Sequence, residues 1–177
     1  MEIQKIPSEL VLSINNNLTI LQNPAVNNYK KLEYVYNEAE KVNDFLRPYF
    51  SCHPGCSFCC KYDVLISAFE ANYISLKTQK RIKNEKLTIM NNSLCPFLQN
   101  DICSIYKYRP LICRTYHVRG NPENCKIDYN LSLKHIEQYG TKNGNYGNQI
   151  YKEFARFIDT VNTAVFYNEF KDIRNFF

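Results

Sequence analysis

The sequence has no apolar run near the roughly 18–20 residues that cross a bilayer as a helix. An integral membrane protein is therefore not expected. Its start, MEIQKIPSELVLSINNNLTI, has no charged stretch followed by an apolar one. Asn15, Asn16 and Asn17 interrupt the apolar stretch there. A secretory signal is not expected either, and the chain is placed in the cytoplasm. No glycine-rich turn joins a predicted strand to a helix, which argues against a cradle for nucleotide phosphates. No Ser-His-Asp order and no pair of catalytic carboxylates can be argued. The sequence alone therefore leaves open whether the protein is an enzyme. There is no tryptophan, so many of the 14 tyrosines and 11 phenylalanines must fill the core. Tyr106, Tyr108 and Tyr116 do interleave with basic residues, as in grooves for single-stranded nucleic acid. The formal net charge is only +5, however, and a nucleic-acid partner is not expected.

What is present is a chain of 177 residues, 45% of them apolar, enough for one domain with a real core. Eight of those residues are cysteines. The count is even, so a disulfide framework is arithmetically open. Disulfide scaffolds belong to oxidising compartments and to chains too small to build a core. Neither condition applies, and metal ligation is the expected use. Metal ligands are thiolates, so four of them on a divalent ion would lower the net charge to about +3.

Periodicity predicts a mainly α protein, a small helical domain around an irregular cysteine-rich centre. A first helix over 1–22 carries Leu10, Ile14, Leu18 and Leu21, with Ser8 as its expected N-cap. A second over 28–47 places Leu32, Val35, Ala39, Val42 and Leu46 on one face. Glu33, Asn37, Glu40, Lys41 and Asp44 fill the other side, and Pro48 sets the end near Arg47. Lys61–Leu65 reads as a short extended segment. Ser67 and Glu70 form a capping box that starts a helix with Phe69, Tyr73, Ile74 and Leu76. Its tail, Lys77–Lys86, is basic and reads as a solvated helix face or loop. From Cys95 to Cys113, Pro96, Asn100-Asp101 and Pro110 limit the chain to turns with brief strands or helical turns. Residues 129–139 read as a short helix and Gly140–Gly147 as a loop. A long helix over 148–175, with Ile150, Phe154, Phe157, Ile158, Val161, Val165 and Phe166 as its stripe, is the expected lid over the core.

The chemistry is concentrated in Cys52-His-Pro-Gly-Cys56-Ser-Phe-Cys59-Cys60, four thiols in nine residues. Thiolates two to four residues apart converge on a metal when a turn lies between them, and Pro54-Gly55 is such a turn. Adjacent side chains such as Cys59 and Cys60 diverge, so a polynuclear cluster or two neighbouring sites suits the pair better than one ion. Cys95, Cys103 and Cys113 are spaced too widely for a second zinc knuckle. An anchoring motif plus distant ligands fits an iron–sulfur cluster. A closed zinc site and redox cysteine chemistry remain the alternatives. His53 and His117 are further potential ligands, whereas His135 sits on a predicted helix away from the cysteines.

Cys52-x3-Cys56-x2-Cys59 resembles the cluster motif of radical S-adenosylmethionine enzymes, but those are β/α barrels and this chain reads as helices and loops. Read together, the first cluster, Cys95-Pro-Phe-Leu and Cys103-Ser-Ile-Tyr-Lys-Tyr-Arg-Pro-Leu-Ile-Cys113-Arg-Thr-Tyr resemble the YkgJ-type cysteine-cluster family. That family is described as a zinc- or iron-chelating domain with eight cysteines. The resemblance covers residues 52 to about 125. It implies Cys52, Cys56, Cys59, Cys60, Cys95, Cys103 and Cys113 as metal ligands, with Cys125 as the eighth. The flanking helices over 1–47 and 148–175 lie outside it. A related cluster in flagellin lysine N-methylases would imply methyl transfer from S-adenosylmethionine as an alternative function.

Arg109 and Arg114 bracket Cys113 in a stretch with no acidic residue. Guanidinium groups there would stabilise a net-negative cluster, and both are candidate cofactor-binding residues. The expectation is a cytosolic metal-binding protein holding an iron–sulfur cluster, preferably of the 4Fe–4S type, or zinc. Electron transfer or metal handling would be its role. A structural zinc domain that mediates contact with an unknown protein partner is the third reading.

Overall fold

Apolar residues three and four positions apart account for the first two helices. In the computed structural model, which describes residues 7–49, 55–83, 93–116 and 148–177, α1 runs Ser8–Gln22 and α2 Asn28–Leu46. Ser8 is not the N-cap of α1. Pro7 occupies that place with extended backbone, and no side chain caps the helix. The proline ring already fixes a φ suited to the position. At α2 the Asn27 side chain accepts the Tyr29 N–H at 2.8 Å. Leu32, Val35, Ala39, Val42 and Leu46 are all buried, as their spacing requires.

The capping box forms as read. Ser67 Oγ accepts the Glu70 N–H at 3.2 Å and donates to Glu70 Oε2 at 3.1 Å. It opens α3, Ala68–Thr78, which buries Phe69, Tyr73 and Ile74 and leaves Leu76 exposed. The left-handed backbone of Gln79 ends the helix, so the basic tail is not helical over 79–83. The extended segment expected at Lys61–Leu65 lies slightly later. A 3-10 turn covers Phe58–Lys61, and strand β1 is Leu65–Ser67.

In the second cysteine region, β2 (Leu98–Gln99) and β3 (Ile102–Cys103) pair antiparallel. Asn100 and Asp101 both take positive φ between them, the two-residue hairpin turn that such residues favour. A 3-10 turn at Tyr106–Tyr108 and the short helix α4, Leu111–Thr115, follow.

The last expected helix is shorter than its periodicity predicts. α5 spans Asn148–Phe166 and stops where Tyr167 and Asn168 turn through positive φ. Fully buried Asn162 holds this turn. Its Nδ2 donates to Glu169 O at 3.0 Å, and its Oδ1 accepts the Phe69 N–H at 3.2 Å. Val165, placed on the apolar stripe, is 54% exposed. The chain then forms β4, Phe170–Asp172, antiparallel to β1 with Leu65 opposite Asp172, and ends in α6, Ile173–Phe176. This partner lies about a hundred residues upstream, where helical periodicity carries no information. The expected helix at 129–139 and loop at 140–147 lie outside the described residues.

Two apolar clusters result. The first joins α1 and α2 to Phe69, Tyr73, Leu111 and the Phe154, Ile158 and Val161 face of α5. The second gathers Val64, Ile66, Ala71, Ile74, Phe97 and Ile105 around Ile173, Phe176 and Phe177. Cys95, Cys103 and Cys113 pack against that second cluster. Aromatic rings fill both: Tyr29 stacks on Phe69 at 5.5 Å, and Phe97 meets Phe177 edge-on at 4.9 Å. No described helix is long and apolar enough to cross a membrane.

Candidate metal centre

Each described cysteine is placed by a local backbone feature. Gly55, at φ +90, turns the chain into Cys56 through a conformation side-chain-bearing residues rarely adopt. Cys59 and Cys60 sit on the 3-10 turn, with the Cys60 N–H bonded to Ser57 O at 3.0 Å. The buried Ser57 hydroxyl donates to Asp101 Oδ1 at 2.8 Å, which fastens this first segment to the hairpin tip. The Cys95 N–H donates to Cys60 O at 2.9 Å, so the two cysteine regions join through backbone. Cys103 ends β3, and the Cys113 N–H donates to Pro110 O at 3.0 Å in the first turn of α4.

These features bring Cys56, Cys59, Cys60, Cys95, Cys103 and Cys113 to the wall of one cavity of about 330 Å³. None of the six is joined in a disulfide. Cys52 and Cys125 lie outside the described residues, as do His53, His117 and His135. Among the described residues, no three Cys, His, Asp or Glu side chains form a group that can hold a metal ion.

The donor set is chemically soft. Asp63 is the single carboxylate among the described residues lining the cavity. Thiol-rich sets suit zinc or iron–sulfur clusters, not the hard oxygen-seeking cations. The remaining wall is apolar, from Ile102, Ile105, Ile112 and Ile173, with Tyr106 and Tyr116 beside Arg109.

Burial governs three of the thiols. It pushes Cys95 up to about 11 and raises Cys103 and Cys113 as well. Cys60 differs. A hydrogen bond with Cys59 lowers it to about 7, while burial opposes the shift and the Arg174 guanidinium adds to it. A coordinated cation inverts the cost of burial, because ligating thiols are deprotonated outright.

The two candidate arginines have separate places. Arg109 lines the cavity and stacks 3.8 Å over Tyr106. Arg114 is buried behind it and does not line the cavity. Its Nε donates to Arg109 O at 2.8 Å, its Nη2 to Lys107 O, and its face lies 4.2 Å from the Tyr36 ring. Glu40 Oε1 accepts from Arg109 Nη2 at 2.7 Å and Arg114 Nη1 at 2.8 Å. Glu40, read from its spacing as part of the polar face of α2, thus reaches the cysteine segment. One carboxylate offsets two guanidiniums, so this trio carries a net positive charge.

Three contributors were not visible in the sequence pattern. Glu70 Oε1 accepts the Leu111 N–H at 2.8 Å and the Tyr36 hydroxyl at 2.9 Å, which fixes the start of α4. Only its capping role carried a sequence signal. Asp172 and Arg174 reach the first cysteine segment from the far end of the chain and carried none.

A family model named CxxCxxCC, described as "Putative zinc- or iron-chelating domain", matches residues 51–143. That is just over half of the chain. No curated protein and no solved structure matches it.

Proposed function

Since the chain belongs to the CxxCxxCC family of zinc- or iron-chelating domains, we propose that it is a cytoplasmic protein whose cysteine cavity holds an iron–sulfur cluster of the 4Fe–4S type. One observation carries this reading: six thiols from both cysteine segments line a single cavity. A cluster takes several thiolate ligands, spread over its irons. The adjacent pair Cys59 and Cys60 supports the same reading. Neighbours on a 3-10 turn diverge by about 120°, yet both border this cavity.

Cys56, Cys59, Cys60, Cys95, Cys103 and Cys113 are the candidate ligands. Cys52 and Cys125 complete the set of eight, either at this site or at a second one. When bound, a cluster supplies one-electron chemistry, which suits electron transfer or metal handling. The chain's own part is to fix the thiols, close the inner side of the cavity with the buried Ile105 and Ile173, and set the local charge. Arg109 does the last directly. Arg114 acts through it, holding the Arg109 carbonyl and sharing Glu40.

The test is purification without oxygen, a visible spectrum, and analysis for iron, sulfide and zinc. A brown protein with matched iron and sulfide is expected. A colourless protein with stoichiometric zinc overturns the iron–sulfur reading in favour of a structural zinc domain.

A further inference from the structure

The family match ends at residue 143, but the cysteine cavity does not end with it. Ile173 lines the cavity, and its N–H donates to Val64 O at 2.9 Å. The Val64 N–H returns a bond to Asp172 Oδ2 at 2.6 Å. Phe177 meets Phe97, two residues beyond Cys95. Arg174 lies among these contacts with its side chain 4% exposed.

The Arg174 guanidinium uses all three nitrogens. Nη2 donates to Cys60 O at 2.9 Å, and Nε donates to Ser93 O at 2.7 Å. Nη1 lies 3.1 Å from both oxygens of Asp172. Cys60 O also takes the Cys95 N–H, so this one carbonyl is where the two cysteine segments and the C-terminal segment meet. A planar fork with fixed donor directions can bridge two carbonyls and a carboxylate at once, whereas a lysine ammonium is a point donor on a flexible stem. Asp172 offsets much of the arginine's charge, so what the pair adds is chiefly geometric: it ties the Cys60 turn to the chain leading into Cys95.

We propose that Arg174 is a positioning residue of the metal centre, and that residues 170–177, outside the family domain, complete that centre by clamping its two cysteine segments together. The proposal rests on the metal-binding reading above. Arg174 touches no metal ligand side chain in this role. It holds the backbone on which Cys60 and Cys95 are mounted, as outer partners of metal sites do.

The experiment compares wild type, Arg174→Lys and Arg174→Gln, with Arg156→Gln as a control at an exposed helix position. Each protein is purified without oxygen, its iron and zinc are counted, and loss of that metal to excess EDTA is followed. Arg174→Lys is expected to keep the wild-type helical circular dichroism yet release metal about 10–100-fold faster, the usual cost of losing an outer partner. Its cysteine-to-metal absorption should shift too, which a general loss of stability would not cause. Arg174→Gln should release metal at least as fast. Should it fail to fold, the lysine variant decides alone. A wild-type release rate in Arg174→Lys overturns the proposal.

A second readout is hydrogen exchange in the proteins as purified, which should show about tenfold or greater loss of protection over residues 59–64 and 93–98 in Arg174→Lys. Arg156→Gln should leave both segments unchanged. Unchanged exchange in Arg174→Lys overturns the clamp itself. A wild type that carries neither iron nor zinc overturns the metal-binding reading instead, so the two failures are distinct.

Discussion

Glu70 Oε1 accepts the backbone N–H of Leu111 at 2.8 Å. The carboxylate that caps α3 thereby also anchors the first turn of the helix carrying Cys113. Glu70 is buried and takes further bonds from Tyr36 and Ser67. Replacing it by Ala would strand these buried donors, each at about 1–3 kcal/mol. The expected loss for Glu70→Ala is about 3 kcal/mol in urea denaturation of the metal-free protein. Glu70→Gln keeps an acceptor and should lose less than half as much.

Two carboxylates near the site should give pH dependences of opposite sign. Burial raises Glu70 above the ordinary value of 4.5, against the lowering effect of its hydrogen bonds. For Glu40, burial also works upward, but Arg109 and then Arg114 overcome it and the net shift is downward. A raised carboxyl favours the folded state below its unfolded pKa and loses that contribution as pH rises through the folded value. A lowered one contributes above its unfolded pKa and loses it as pH falls. Wild type should therefore gain on Glu40→Gln as pH climbs towards 4.5, and lose ground to Glu70→Gln as pH climbs above it. Urea midpoints of the three proteins between about pH 3 and 8 check both slopes.

Arg114→Lys should be costly although the charge is kept. Arg114 is 3% exposed and donates to Glu40, Arg109 O and Lys107 O while stacking on Tyr36. A lysine reaches one of these partners and leaves part-buried carbonyls without the guanidinium. About 2–3 kcal/mol of stability should be lost, on the scale of one or two charged hydrogen bonds. Thermal or urea unfolding against wild type measures it. A loss below about 0.5 kcal/mol would mean that solvent replaces the guanidinium freely.

Replacing Cys59 or Cys113 by Ser should lower the metal content several-fold and destabilise the loaded protein, because ligation is coupled to folding. The Cys60→Ser variant tests the adjacent pair. If both neighbours are ligands, its metal-to-protein ratio should fall as far as that of Cys59→Ser. A full complement of metal in Cys60→Ser would place its thiol outside the ligand set.

Phe177→Ala should cost about 3 kcal/mol, the lower end for removing a buried phenylalanine. Phe177 is 4% exposed and packs on Phe97. The void would open beside the Cys95 segment, so metal release should quicken along with the fall in stability. Denaturation and chelator release on the same preparation read both effects.

Local pattern carried much of this in advance. α2 needed only its spacing of apolar residues, and all five predicted core positions are buried. The Ser67–Glu70 box was legible because both partners lie in one helical turn. The gathering of the cysteines was legible from their residue type and crowding. What was hidden is long-range. Arg174 meets Cys60 across 114 residues, and no local rule connects them. The end of α5 was hidden for the same reason, since the pairing that claims residues 170–172 lies in β1. Glu40 showed its polarity but not its partners, because a charged position on a helix reads alike whether it meets water or arginine.

The bond from Val64 to Asp172 closes a span of 108 residues, and contacts of that separation form late. During synthesis, Cys56 through Cys113 leave the ribosome well before Arg174 does. The bond from Arg174 to the Cys60 carbonyl can therefore form only after all six described cysteines have been synthesised.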